Sequence, residues 1–263
     1  MRRPLPAVPA VLLLAALAAG CGGPSAQEEV ARAAGKTDRA DSLRAEVSGQ
    51  IRVPGAPSGG VPVAGSAVVL DGGERVRGTT DLGAFEGPGG SGEPSETVVI
   101  GELVYLRLPL LNAPLREAGV EEEWLVADEQ AQQAAGLGGG PAGLGSADPT
   151  EVVGALRDSA REVEEAGSED VRGTPTTRYT ATLDLSVAEG RAEQGLPETV
   201  PTEVWIGEDG LVRRVRQRFS VRQGGDVDYT LELFDFGVQA TVEPPPEADT
   251  IPFEEAVAAA REE

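Results

Sequence analysis

Between Thr176 and Phe236 the chain alternates apolar and polar residues through successive runs: Thr176 to Leu185, Pro201 to Gly207, Leu211 to Arg222 and Val227 to Phe236. Period-two alternation places every second side chain on one face of a strand, so these runs are half-buried strands. Glu208-Asp209-Gly210 and Gln223-Gly224-Gly225-Asp226 stand between neighbouring runs and read as hairpin turns. An antiparallel sheet built this way has one apolar face, which other parts of the chain must cover.

The first half of the chain repeats the pattern. Leu43, Ala45, Val47, Gly49, Ile51 and Val53 alternate with polar residues, and residues 54–62 are Pro/Gly turn chemistry. Strands are expected at Ser66 to Leu70 and Glu74 to Asp81 across Asp71-Gly72-Gly73, at Thr97 to Leu108 with a turn near Gly101-Glu102, and at Trp124 to Ala127. Residues 86–95 and 136–146 are glycine-rich loops, and residues 186–196 are a helix or an irregular crossing. A short helix is expected over residues 28–40, and an acidic tail helix over Pro252 to Glu262, beyond the Pro244-Pro245-Pro246 run that should end the sheet. The clearest helix starts at Asp148-Pro149, with Glu151 three residues after the cap. Val152, Val153, Leu156, Ala160 and Val163 fall on one face of it, and Gly167 should stop it. Such helices, inserted in an antiparallel meander, are the available cover for the apolar face.

Alternate positions on the long strands select that face: Tyr179, Ala181, Leu183 and Leu185; Val204 and Ile206; Val215, Phe219 and Val221; Val227, Tyr229, Leu231 and Leu233. The opposite face carries Arg178, Glu203, Arg214, Arg216, Asp228 and Glu232. A plain filled core would show the same pattern. Against it stands a shortage of filling, because the chain holds only two Trp, three Tyr and five Phe. Natural interiors approach crystal density, so a wide sheet covered by small side chains leaves room for a lipid.

Charge and composition exclude several functions. A net charge of −22 argues against nucleic acid and against docking on anionic lipid. The absence of histidine removes Ser-His-Asp and Cys-His catalysis and histidine metal sites. No P-loop, dinucleotide fingerprint or EF-hand spacing occurs, so neither an enzyme nor a cofactor is expected.

The N-terminus carries a different signal. Arg2-Arg3 is followed by an uncharged run from Leu5 to Ala19, then Ala18-Ala19-Gly20-Cys21. This is a signal-peptide layout, too short to span a bilayer. The small residues before Cys21, the single cysteine, resemble a lipobox, with Ala18 where a larger aliphatic residue is usual. Residues 1–20 are therefore expected to be a lipoprotein signal peptide, 21–27 a tether and 28–263 one domain. The resemblance implies a diacylglyceryl group on Cys21 that holds the protein on the outer face of the cell membrane, since stable anchoring needs more than one acyl chain.

The order of motifs carries a second resemblance. An anchored helix leads into SLRAEVSGQIRV; VVIGELVYLRLP precedes a strand opening at Trp124; DPTEVVGALRDSAREVEE leads into TTRYTATLDLS; PTEVWIGEDGLVRRVRQRFSV is followed by YTLELFDFG and an IPFEEA tail. From Glu28 to Ala256 the chain resembles the LppX/LprAFG lipoproteins of actinobacterial envelopes, related in fold to the LolA and LolB carriers. This implies an α+β fold, a large curved antiparallel sheet forming a half-open β-barrel with helices over its concave face. It also implies a hydrophobic cavity that binds or carries a lipid or glycolipid. The cavity-lining candidates are then Tyr179, Ala181, Leu183, Leu185, Val204, Ile206, Val215, Phe219, Tyr229, Leu231 and Leu233 from the sheet, with Val152 and Leu156 from the helix. The alternative is the same half-barrel with a filled core, acting as a sensor or scaffold for another envelope protein.

The anchor is directly testable. Cys21→Ala should move the protein from the membrane pellet to the soluble or secreted fraction. Retention in the pellet after a high-salt wash would rule the lipid anchor out.

Overall fold

The computed structural model describes residues 24–52, 60–81, 92–135, 149–186, 196–221 and 225–261. Outside the described residues lie the leader with Cys21, the Asp148 cap, residues 86–91 and 136–146, residues 187–195 of the crossing segment, and Gln223-Gly224. In chain order the elements are helix α1 (Ala26–Thr37), strands β1 (Ser42–Arg52), β2 (Val61–Leu70), β3 (Arg75–Asp81), β4 (Ser95–Ile100) and β5 (Leu103–Arg107), and helix α2 (Pro109–Glu117). Strand β6 (Trp124–Ala127), helices α3 (Glu129–Ala135) and α4 (Glu151–Ser159), and strand β7 (Ala160–Val171) come next. Strands β8 (Thr174–Asp184), β9 (Thr199–Gly207), β10 (Val212–Val221), β11 (Gly225–Phe234) and β12 (Thr250–Pro252) and helix α5 (Phe253–Arg261) complete the fold.

The strands form one 12-stranded sheet in the order β12-β6-β5-β4-β3-β2-β1-β11-β10-β9-β8-β7. Two meanders, β1 to β6 and β7 to β11, join where β1 pairs antiparallel with β11, placing Val47 opposite Leu231 and Ile51 opposite Val227. Two glycines mark places where neighbouring strands close in. A Cβ on Gly49 would meet the Asp228 carbonyl oxygen at 2.1 Å, and one on Gly65 would meet that of Thr79 at 2.8 Å. Such bare positions let a sheet bend, and this sheet is curved and unclosed.

The proline run does not end the sheet. Beyond it β12 pairs in parallel with β6, Ile251 opposite Leu125. On the way Val238 and Val242 pack with Leu70, Val98, Tyr105 and Trp124 on the outer face, so this segment covers a second, smaller apolar cluster. Prolines donate no ladder bonds, but they do not prevent the chain from adding a strand at a distant edge.

Helix α1 starts earlier than residue 28. Ser25 caps it: the Glu28 amide donates to Ser25 Oγ at 3.3 Å, and the Ser25 amide donates to Glu28 Oε2 at 2.7 Å. Its C-terminus is tied to the sheet, since the Val212 amide donates to the buried Thr37 Oγ1 at 2.9 Å. Val30, Ala33 and Ala34 are buried beneath it.

The helix expected to run from Asp148 towards Gly167 ends at Ser159. Val152, Val153 and Leu156 point inward as the 3.6 periodicity requires, but Ala160 and Val163 belong to β7. Helix-favouring residues yield here to pairing with β8 across the turn Arg172-Gly173, whose φ values of 50° and 78° match a two-residue hairpin loop. Gly167, at φ 110°, sits in an irregular stretch of the β7–β8 ladder, where the register shifts between Glu165 and Ser168. These bulges and the exposed Glu162, Glu164 and Glu165 blunt β7 as an edge strand.

Two further helices come from stretches the alternation does not cover. Pro109 begins α2 and Gly119, at φ 81°, follows its end, an N-terminal-proline and C-terminal-glycine pattern visible in the residues themselves. Asp128 Oδ1 accepts from the Ala131 amide at 2.9 Å and caps α3. Helices α1 and α4 pack on each other and over β7 to β10, whereas α2 and α5 pack on each other, with α5 against β6.

Because Leu156 is fully buried, Leu156→Asp should destabilise the fold by about 3–5 kcal/mol, as an unpaired buried charge does. Urea unfolding measures this; an unchanged midpoint would place that helix face in solvent.

Candidate functional site

The inner face of the sheet brings the sequence-selected residues together. Register sets Tyr179 beside Val204, Leu183 beside Val200, Val204 beside Val215, Val215 beside Leu231 and Phe219 beside Val227. Every sheet candidate, from Tyr179, Ala181, Leu183 and Leu185 to Leu231 and Leu233, belongs to one apolar cluster, together with Val152 and Leu156 from α4. Their exposures run from 0% to 8%. This half of the face is closed by α1 and α4.

The middle of the face differs. On β1 to β3, Val47, Gly49, Ile51, Val63, Gly65, Ala67, Gly78 and Thr80 face inward and are half-buried, whereas Leu43, Ala45, Val61, Val69 and Val76 on the same face are buried. They face one another across the ladders, Val47 opposite Gly65, Ala67 opposite Gly78 and Gly65 opposite Thr80. The result is a shallow trough of small and β-branched side chains. It lies between the half covered by α1 and α4 and the end where Leu111, Leu115 and Ala256 join the core cluster from α2 and α5. Sequence alternation along β1 points to the trough, but its half-burial follows from where the helices settle.

Two fully buried polar residues, Thr202 and Gln217, interrupt the β9–β10 part of the inner face. Thr202 is buried and its hydroxyl donates to the Val200 carbonyl at 3.1 Å. Gln217 is fully buried between Val215 and Phe219, and neither its Nε2 nor its Oε1 has a partner. Strict alternation along β10 already places Gln217 inward, although the apolar selection passes over it. Burial also pushes the Tyr229 phenol well above its ordinary 10.0.

The outer face carries charge, as the alternation requires. Arg214 reaches Glu232 at 2.6 Å and Glu169 at 2.7 Å, Arg172 bridges Glu232 and Glu46, and Arg216 reaches Asp228 at 2.9 Å. Arg172 also stacks on the Phe234 ring at 4.0 Å. These ties cross β1, β11, β10 and the β7–β8 hairpin, so they brace the seam between the two meanders. Burial would raise the Glu232 carboxyl, but Arg214 and Arg172 outweigh it and hold Glu232 below its ordinary 4.5. The hydrogen bond from Arg216 holds Asp228 below 3.8, against the opposing effect of burial.

A separate pocket of about 670 Å³ opens at the β5–β6–β12 end, lined by Leu103, Tyr105, Val126, Pro245, Phe253 and the Asp128 carboxylate among others. None of the expected cavity-lining residues borders it. Among the described residues no helix is long and apolar enough to cross a membrane, and no group of three or more acidic or cysteine side chains could hold a metal ion.

No protein-family model matches the chain. A Streptomyces coelicolor protein named as a candidate lipoprotein is 33% identical over 129 residues, 46% of this chain and 40% of that protein. An uncharacterized 31.2 kDa protein of Streptomyces griseus is 28% identical over 123 residues, 41% of this chain and 39% of that protein. The matched region thus spans about two fifths of the length of these curated relatives. Among solved structures, the Mycobacterium tuberculosis lipoprotein LppX superposes with a TM-score of 0.54 at 15% identity, covering 84% of this chain and 100% of LppX. LprF from Mycobacterium bovis gives 0.50 at 14% identity, covering 85% and 98%. The fold is therefore an α+β open half-barrel. It is the fold of the LppX and LprF lipoproteins, as the order of the motifs implied.

The charged ladder should make the fold acid-labile. A carboxylate with a depressed folded pKa contributes stability that is complete above its unfolded value and is lost as pH falls through the folded one. The melting temperature should therefore drop as pH falls below about 4.5. Glu232→Gln should be less stable than the parent at pH 7 and lose less on acidification. Parallel curves for the two proteins would show that the seam gains nothing from Glu232.

Proposed function

We propose that this chain is an envelope lipoprotein, held on the outer face of the cell membrane by a lipid on Cys21, whose inner face accepts the acyl chains of a lipid or glycolipid. The observation that carries the reading is the continuity of that face. One apolar surface runs from the closed β8–β11 half into the half-buried trough on β1 to β3. The likeness to LppX and LprF supports it at the level of fold, and the Streptomyces coelicolor relative supports the lipoprotein part. Burying acyl chains at about 25 cal/mol per Å² of apolar surface supplies the driving force without any charged contact. Binding should then depend little on salt, and the protein acts as a binder or carrier, not a catalyst.

The tight burial of Leu183, Val204, Val215 and Leu231 favours a second reading, in which the half-barrel is filled and serves as a sensor or scaffold. The two readings separate on paired variants. Ala67→Trp, in the trough, should abolish uptake of 11-(dansylamino)undecanoic acid at little cost in stability. Ala181→Trp, in the packed half, should destabilise by about 1–3 kcal/mol through overpacking. Absence of probe uptake by the parent, together with an unchanged profile for Ala67→Trp, would leave the scaffold reading standing.

A further inference from the structure

The Gln217 amide sits in the packed half of the inner face, on β10, with nothing to bond to. Register places it beside Thr202 of β9 and Tyr229 of β11. Tyr229 in turn lies opposite Gly49 of β1, and Gly49 opposite Val63 of β2. A single row of inward positions thus leads from Thr202 through Gln217 and Tyr229 to the half-buried trough. Thr202 satisfies its own hydroxyl on the Val200 carbonyl, so it does not occupy the amide.

An uncharged amide buried without partners destabilises a fold, and an apolar residue of similar volume removes the penalty. The neighbours of Gln217 along β10, Val215 and Phe219, are apolar, so packing alone would favour leucine or methionine here. A polar group kept at such a position is accounted for if something else supplies its hydrogen bonds.

We propose that Gln217 receives a neutral hydrogen-bonding linkage carried within the ligand, with alkyl chain on both sides of it. This rests on the reading of the inner face as an acyl-chain site and narrows the ligand class to N-acylated or O-acylated lipids. A hydroxyl can donate to Oε1 and accept from Nε2, whereas a trans secondary amide, its N–H and C=O on opposite sides, satisfies one of the two, and an ester carbonyl accepts from Nε2. A carboxylate fits poorly, because no Arg or Lys stands in the row from Thr202 to Val63 to balance its charge. The ligand reaches Gln217 from the trough once the Tyr229 ring turns aside.

The test uses the full chain with Cys21→Ala and displacement of 11-(dansylamino)undecanoic acid by N-octyldecanamide or by nonadecane, a chain of equal length. The parent should prefer the amide by about tenfold, the equivalent of a buried hydrogen bond. Gln217→Leu should reverse the preference in favour of nonadecane, whose burial leaves no amide unpaired, and melt higher by ~5 °C, since it removes an unpaired buried group. Gln217→Met, unbranched and of similar volume, should give the same two results and decides the matter if the leucine variant does not fold. Equal affinity of the parent for the two competitors would overturn the inference while leaving the acyl-chain site intact, and is what a buried water on Gln217 would give. Lower melting of both variants would overturn it as well, by showing that the amide is already satisfied. A parent that takes up no probe sinks this inference together with the acyl-chain reading.

Discussion

The apolar inner face of a wide antiparallel sheet has to be taken out of water, and at about 25 cal/mol per Å² that demand outweighs any local preference in the chain. The sheet answers it by curving, and bare positions such as Gly49 and Gly65 let neighbouring strands approach closely. Helices answer it from both ends, α1 and α4 over β7 to β10, α2 and α5 by the β6 end. Small residues dominate much of the strip between them, and many of the inward positions on β1 to β3 stay half-buried. The same interaction that folds the protein therefore also shapes its candidate binding surface.

The outer face has the opposite task. It must stay wet and yet hold together a seam between strands far apart in the chain, since β1 pairs with β11. Arg172, Arg214 and Arg216 with Glu46, Glu169, Glu232 and Asp228 span that seam. Individual exposed ion pairs contribute little, but a connected and partly buried network is a different case, and arginine forks suit it. A chain with 44 acidic and 22 basic residues thus spends several of its cations where strands from distant parts of the sequence meet.

Much of this architecture was legible residue by residue. Alternation identified β1 and β8 to β11 to within a few positions, because a period of two is a local property that burial on one side imposes on a strand. Turn chemistry likewise located Asp71-Gly72-Gly73 and Glu208-Asp209-Gly210. The α4 boundary was not legible: Val152, Leu156 and Val163 keep helical spacing, and nothing nearby reveals that Ala160 will lie opposite Leu183. The parallel β12 was hidden for a similar reason, since Thr250–Pro252 becomes a strand only because β6 offers an edge. Helix α2 could have been found from Pro109 and Gly119, and inward Gln217 from the alternation that selected Val215 and Phe219.

Residue order alone was enough for the antiparallel class, the identity of the apolar face, the charged character of the other face and the lipobox-like stretch before Cys21. These depend on neighbours in the chain, where the side-chain period and charge are read directly. The joining of β1 to β11, the placement of helices at both ends of the face, the half-buried trough and the orphaned amide of Gln217 all required the folded chain. Each depends on which surfaces, far apart in sequence, exclude water from one another, and that is settled by competition among contacts across the whole sheet.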